Sequence, residues 1–125
     1  MKILMIDDDQ LLADLVKERL DSEGFEVCVA FDGLSGIECM IKESPDLILL
    51  DIMMPGIDGY EVCKKLKESP ATASLPIVFV SARNAQEDID KAFKLGADDY
   101  IVKPFDTLSL GKRLNSVYKK ISQDK

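Results

Sequence analysis

The chain has 125 residues, close to half of them apolar, with a net charge of −7; that suffices for one compact core and is too little for two ordinary domains. The acidic balance argues against direct nucleic-acid binding, which rests on Lys and Arg neutralising phosphates, and the complete lack of histidine excludes Ser-His and Cys-His nucleophile pairs and the usual zinc sites. No stretch approaches the length of a membrane span, and Met1-Lys2 leads straight into a strand pattern without a signal-peptide layout, so the expectation is a single domain over 1–125 in a soluble, cytoplasmic protein with no membrane partner.

The first apolar run, 3–6, empties into Asp7-Asp8-Asp9. A helical pattern follows over 10–23, with Leu11, Leu12, Leu15, Val16 and Leu20 assigned to one face, Asp9 suited to cap its start and Gly24 to stop it. Residues 27–30 form a second strand pattern, and 34–43, carrying Ile37, Met40 and Ile41, a second helix that ends before Ser44-Pro45. The third apolar run, 47–50, empties into Asp51. Asp58 with Glu61 marks the start of a third helix, and Asn84 with Glu87 that of a fourth, by the spacing of a capping box. Between them lie an irregular stretch, 69–76, and a fourth strand, 77–80; Gly96 closes the fourth helix. The fifth strand, 100–102, runs into Lys103-Pro104, an X-Pro bond where the cis form is cheap. The last helix, 107–121, repeats Leu110, Leu114, Val117, Tyr118 and Ile121 at steps of three and four, and Lys112, Arg113, Lys119 and Lys120 give it a solvated basic face. Cys28, Cys39 and Cys63 are odd in number, have no C-x-x-C spacing and lie in apolar periodic segments, so they read as reduced packing residues.

Strict strand–helix alternation, five times over, predicts an α/β fold with an open, doubly wound parallel sheet and right-handed crossovers. Five strands suit the order 2-1-3-4-5, in which strands one and three are neighbours at the switch point. Asp7, Asp8 and Asp51 then meet at the carboxyl end of the sheet, where ligands bind, with Lys103 as the one nearby cation. Several carboxylates at close range cannot all stay ionised without more positive charge, and a hard divalent metal is the obvious remedy.

These residues in this order resemble the receiver domain of two-component response regulators over essentially the whole chain. The resemblance is carried by Asp7-Asp8 after the first strand, Asp51 in LILLDIMMPGIDG, Ser81 in PIVFVSAR and Lys103-Pro104 in YIVKPF. It implies that Asp51 is the phosphoacceptor and forms an acyl phosphate. It also implies Mg²⁺ held directly by Asp8, Asp51 and the backbone carbonyl of Met53, with Asp7 acting through water. Lys103 and Ser81 would contact the phosphoryl group, and Tyr100 would be the switch aromatic that follows Ser81. Met53 and Arg83 occupy the two positions that border the approach of hydrolytic water; neither a thioether nor a guanidinium can take a proton from that water. On this reading the chain is a signalling switch that catalyses only its own phosphorylation and dephosphorylation. Its implied partners are a sensor histidine kinase or phosphotransfer protein upstream and an effector protein or output domain downstream, the latter read through the face of the fourth helix, fifth strand and fifth helix. A piece of a longer regulator fits the same pattern. The competing reading is a Mg²⁺-dependent phosphohydrolase with an Asp nucleophile, since Asp7-x-Asp9 fits a D-x-D opening. Leu11 stands where such enzymes usually carry Thr or Val, and they need considerably more chain.

Overall fold

A computed structural model describes residues 1–123. Its elements alternate along the chain: β1 (Lys2–Ile6), α1 (Gln10–Ser22), β2 (Glu26–Ala30), α2 (Gly33–Glu43), β3 (Leu47–Leu50), α3 (Gly59–Glu68), β4 (Ile77–Ser81), α4 (Gln86–Lys94), β5 (Asp99–Val102) and α5 (Thr107–Gln123). The strands form one parallel sheet in the order β2-β1-β3-β4-β5, as expected. No helix among the described residues is long and apolar enough to cross a membrane.

The strands are apolar at nearly every position because both faces of the sheet are covered. Leu4, Ile6, Ile48, Leu50 and Phe79 point to one side, against Met40 of α2, Val62 and Cys63 of α3 and Ala92 of α4. Ile3, Met5, Leu49, Val78 and Val80 point to the other, against Ala13, Val16 and Leu20 of α1 and Leu110 and Leu114 of α5. Each fully buried side chain of this size stabilises the fold by roughly 1.5–3 kcal/mol. Gly111 belongs to the same packing: a Cβ there would meet Glu23 Oε1 at 2.6 Å and the Phe25 ring at 3.0 Å, so glycine lets α5 approach the end of α1.

Register fixes the height of the strand ends. Ile6 pairs with Leu50, so Asp7 and Asp51 leave the sheet side by side, with the Asp51 N–H donating to the Ile6 carbonyl at 2.9 Å. Ser81 pairs with Val102, so Lys103 is the first residue beyond, its N–H donating to the Ser81 carbonyl at 2.9 Å.

Asp9, Asp32 and Asp58 cap α1, α2 and α3 through their side chains. Gly24 and Gly96, at φ +94° and +105°, turn the chain out of α1 and α4 in the left-handed region that favours glycine. The Lys103-Pro104 bond is cis. Three local expectations need correction. On α1 the buried stripe is Ala13, Val16 and Leu20, whereas Leu11 and Leu15 are 72% and 51% exposed. The small side chain of Ala13 is what lies against the sheet, and the two leucines stand on a neighbouring stripe. On α2, Ile41 is likewise exposed, and the helix instead lays Gly36 against Ile6. Asn84 does not cap α4. The helix starts at Gln86, with the Ala85 carbonyl accepting from Asp88 and Ile89 and no side-chain cap. The helix begins one residue later than the spacing predicts, because the Ala85 backbone is the one that takes the extended cap conformation. The three cysteines are free; Cys63 is buried and Cys28 and Cys39 half-buried, in line with packing roles.

Candidate functional site

Three carboxylates converge where β1 and β3 end. Asp7 and Asp51 are 1% and 5% exposed, Asp8 is exposed, and one oxygen from each lies within 4.8 Å of the others. Asp7 Oδ1 accepts from the Asp9 N–H at 2.9 Å, which curls the chain into the cap of α1, and Oδ2 accepts from the Lys103 ammonium at 2.9 Å. Asp51 Oδ1 accepts from the Ile52 N–H at 2.8 Å, and Oδ2 lies 3.4 Å from Lys103 Nζ.

The electrostatics follow from that geometry. Burial, with the negative charge of Asp7 adding to it, pushes the Asp51 carboxyl up from 3.8 to about 6 against the pull of Lys103. Burial also works against the Lys103 ammonium, but Asp7 and Asp51 outweigh it and raise its pKa. One ammonium contacts two of the three carboxylates. An all-oxygen donor set of this kind suits a hard divalent cation better than any soft one.

Gly59, which carried no separate weight in the sequence, builds the floor of this site. It is the first residue of α3, its N–H donates to the Ile52 carbonyl at 2.8 Å, and a Cβ would collide with the Asp51 carbonyl and lie 2.8 Å from Ile52 Cα. Only glycine lets α3 begin against the backbone that carries Asp51. The Asp58-Gly59 pair was visible, but its cap explained the Asp alone.

Ser81 ends β4 fully buried, and its Oγ accepts from the Arg83 N–H at 3.2 Å. Tyr100 is turned inward; its ring lies 6.2 Å from that of Phe79, which in turn lies 5.8 Å from Tyr60. Burial raises both tyrosine hydroxyls, Tyr60 to about 12. Tyr60, a second residue the sequence reading passed over, donates to the Asp88 carbonyl at 3.0 Å, and Lys91 stands over its ring. Met53, more than half exposed, and Arg83 line one cavity with Asp8, Ile52, Met54 and Asp58. The sequence-predicted residues thus fall into two groups: Asp7, Asp8 and Asp51 brought together with Lys103 bridging Asp7 and Asp51, and Ser81, Arg83 and Tyr100 linked along the adjoining strand ends.

Comparison with known proteins gives this arrangement its family. Residues 3–115 match the response regulator receiver domain, and the chain belongs to that family, the receivers of two-component response regulators. It is 38% identical over 119 residues to the DNA-binding dual master transcriptional regulator RpaA of Synechocystis, covering 95% of this chain and 49% of that protein. The chain therefore spans about half the length of the curated relative it matches. Among solved structures it resembles the Francisella response regulator 1452 receiver domain, at 34% identity and a TM-score of 0.87 over 95% of this chain and 97% of that one. It also resembles a CheY-like receiver domain protein from Methanospirillum hungatei, at 27% identity and a TM-score of 0.91 over 99% and 98%.

Proposed function

We propose that residues 1–125 work as one receiver domain, a phosphorylation-operated switch whose phosphoacceptor is Asp51 and whose cofactor is Mg²⁺. The observation that carries this reading is a buried carboxylate, at the mouth of a parallel sheet, sharing one lysine with a second buried carboxylate and lying within 4.8 Å of a third. Such an arrangement destabilises its own charge until a cation occupies it.

The donor is a phosphohistidine on a sensor histidine kinase or phosphotransfer protein. A carboxylate oxygen of Asp51 attacks phosphorus in line; the P–N bond breaks, and the donor imidazole keeps the electron pair. Asp8, Asp51 and the Met53 carbonyl would hold Mg²⁺ directly and Asp7 through water; the bound ion would neutralise the cluster and draw charge from the phosphoryl oxygens. Lys103, already between Asp7 and Asp51, donates to the transferred group without having to move far. The Ser81 hydroxyl donates to a phosphoryl oxygen while its lone pair still accepts from the Arg83 N–H, and the shift of Ser81 is felt by Tyr100 through the same residue. Tyr100 and α4 belong to the α4-β5-α5 face, which an effector protein or output domain would read. Met53 and Arg83 border the approach of hydrolytic water, so of the two reactions the chain catalyses on itself, phosphorylation and dephosphorylation, the second is slow. The net charge of −7 supports a protein partner over direct nucleic-acid contact, and Arg113 on α5 is already paired with Asp99 at 2.8 Å. A cytoplasmic location accords with a kinase-borne donor.

Intact-mass measurement after incubation with acetyl phosphate and Mg²⁺ should show one added phosphoryl group. A mass shift retained in Asp51→Asn would overturn the assignment.

A further inference from the structure

Arg83 is a charged side chain near the proposed phosphoacceptor with two claims on it. It lines the cavity shared by Asp8, Met53 and Asp58, yet its guanidinium is turned toward the first turn of α4, with Nη1 3.2 Å from Asp88 Oδ1. Asp88 is held from the other side as well, its carbonyl and Oδ1 lying 3.0 and 3.4 Å from the Tyr60 hydroxyl. The backbone of Arg83 is engaged at both ends, its N–H on Ser81 Oγ and its carbonyl on the Tyr100 hydroxyl. Helix α4, by contrast, is lightly held: it has no side-chain cap, and Ala92 is its one fully buried residue. Polar bonds to Arg83 and Tyr60 therefore add to the packing of half-buried Ile89 in holding its start.

We propose that Arg83 and Asp88 form a charge latch, in which Asp88 withholds the guanidinium from the cavity until an anionic phosphodonor, or the phosphoryl group it leaves on Asp51, competes for it and frees the first turn of α4. The inference rests on Asp51 being the phosphoacceptor. The competition is one-sided for a physical reason. The Arg83–Asp88 pair is partly solvated and uses a single guanidinium nitrogen, the kind of contact that breaks easily. A phosphoryl group carries more charge and offers oxygens spaced for bidentate binding, which a guanidinium matches with two parallel donors. One arginine thereby connects donor capture to helix position, with its backbone already tied to the serine and tyrosine that respond to the same event.

The experiment compares the parent with Asp88→Asn, Arg83→Gln and the double variant. Uptake from acetyl phosphate at fixed Mg²⁺ is followed by intact mass, and amide hydrogen exchange is followed over residues 86–90. The latch predicts that Asp88→Asn raises the second-order uptake rate severalfold, that Arg83→Gln lowers it, and that Asp88→Asn has no effect on top of Arg83→Gln. It also predicts that these amides exchange faster on phosphorylation in the parent and are already fast in unphosphorylated Asp88→Asn. Equal rates in parent and Asp88→Asn would overturn the latch. So would an Asp88→Asn gain that persists with Arg83→Gln, since that gain would come from net charge alone. Exchange over 86–90 unchanged by phosphorylation would overturn it too. Failure of the parent to take up phosphate at all would overturn the phosphoacceptor reading and the latch with it, and is told apart from the other outcomes by the parent's mass.

Discussion

Two lysines stand at opposite ends of the same sheet, and their surroundings differ in what water can do. Lys2 opens β1, with its ammonium 2.7 Å from Glu43 and 3.6 Å from Glu26; all three side chains are partly solvated. Lys103 follows β5, with its ammonium 2.9 Å from Asp7 and 3.4 Å from Asp51, both carboxylates almost wholly out of water, and Asp8 adds a third acid. At the amino end the excess negative charge is screened and costs little. At the carboxyl end it is confined, raises the Asp51 carboxyl to about 6 and can be relieved only by something that enters. A cluster of charges becomes a site when solvent cannot balance it.

The contrast can be broken most sharply at the two lysines. Lys103→Met removes the ammonium that already lies against Asp51, and the rate of uptake from acetyl phosphate should fall by about 10²-fold or more, as expected for loss of a charge that stabilises a transition state. Lys2→Met should leave that rate unchanged and lower stability only slightly in denaturant unfolding, as expected for a solvated ion pair. Comparable losses of uptake in both variants would erase the distinction between the two ends.

Metal separates the ends next. Mg²⁺ at a hundredfold excess over its dissociation constant should stabilise the parent by about 2.7 kcal/mol. Asp8→Ala should abolish that gain and Glu43→Gln should keep it. An undiminished gain in Asp8→Ala would put the ion elsewhere. The smallest effect concerns the rim of the site. Replacing Met53 by Asn and Arg83 by Glu introduces groups able to orient water, and the first-order loss of phosphate should speed up severalfold. Decay no faster in the double variant than in the parent would remove these two side chains from the account.

Much of this was legible in the residues. Runs such as 47–50 could be placed because a strand buried on both faces must be apolar throughout, and the acids after them converged once the strand order was fixed. Asp9 and Asp58 announced helix starts because capping is local chemistry. On α1 the spacing cannot separate two adjacent stripes, and the sheet takes the one with the small Ala13 rather than the one with Leu11 and Leu15. Asn84 misled because the helix begins one residue later, with Ala85 at the cap position and no side-chain cap. Gly59 and the Tyr60–Asp88 bond could not be read at all, since a forbidden Cβ and a contact between α3 and α4 exist only once the chain has folded.

The central claim is that Asp51 carries its charge against its surroundings, and unfolding of the metal-free parent and Asp51→Asn from about pH 4 to about pH 8 tests it most directly. Because the fold raises this carboxyl from 3.8 to about 6, the folded state holds the proton more tightly than the unfolded chain does. The contribution of Asp51 to stability is complete below pH 3.8 and is lost as pH rises through about 6. Asp51→Asn should therefore gain on the parent across that window and be the more stable of the two at neutral pH, and Mg²⁺ should narrow the gap. A difference that does not change with pH, or a parent more stable than Asp51→Asn at neutral pH without metal, would contradict the account.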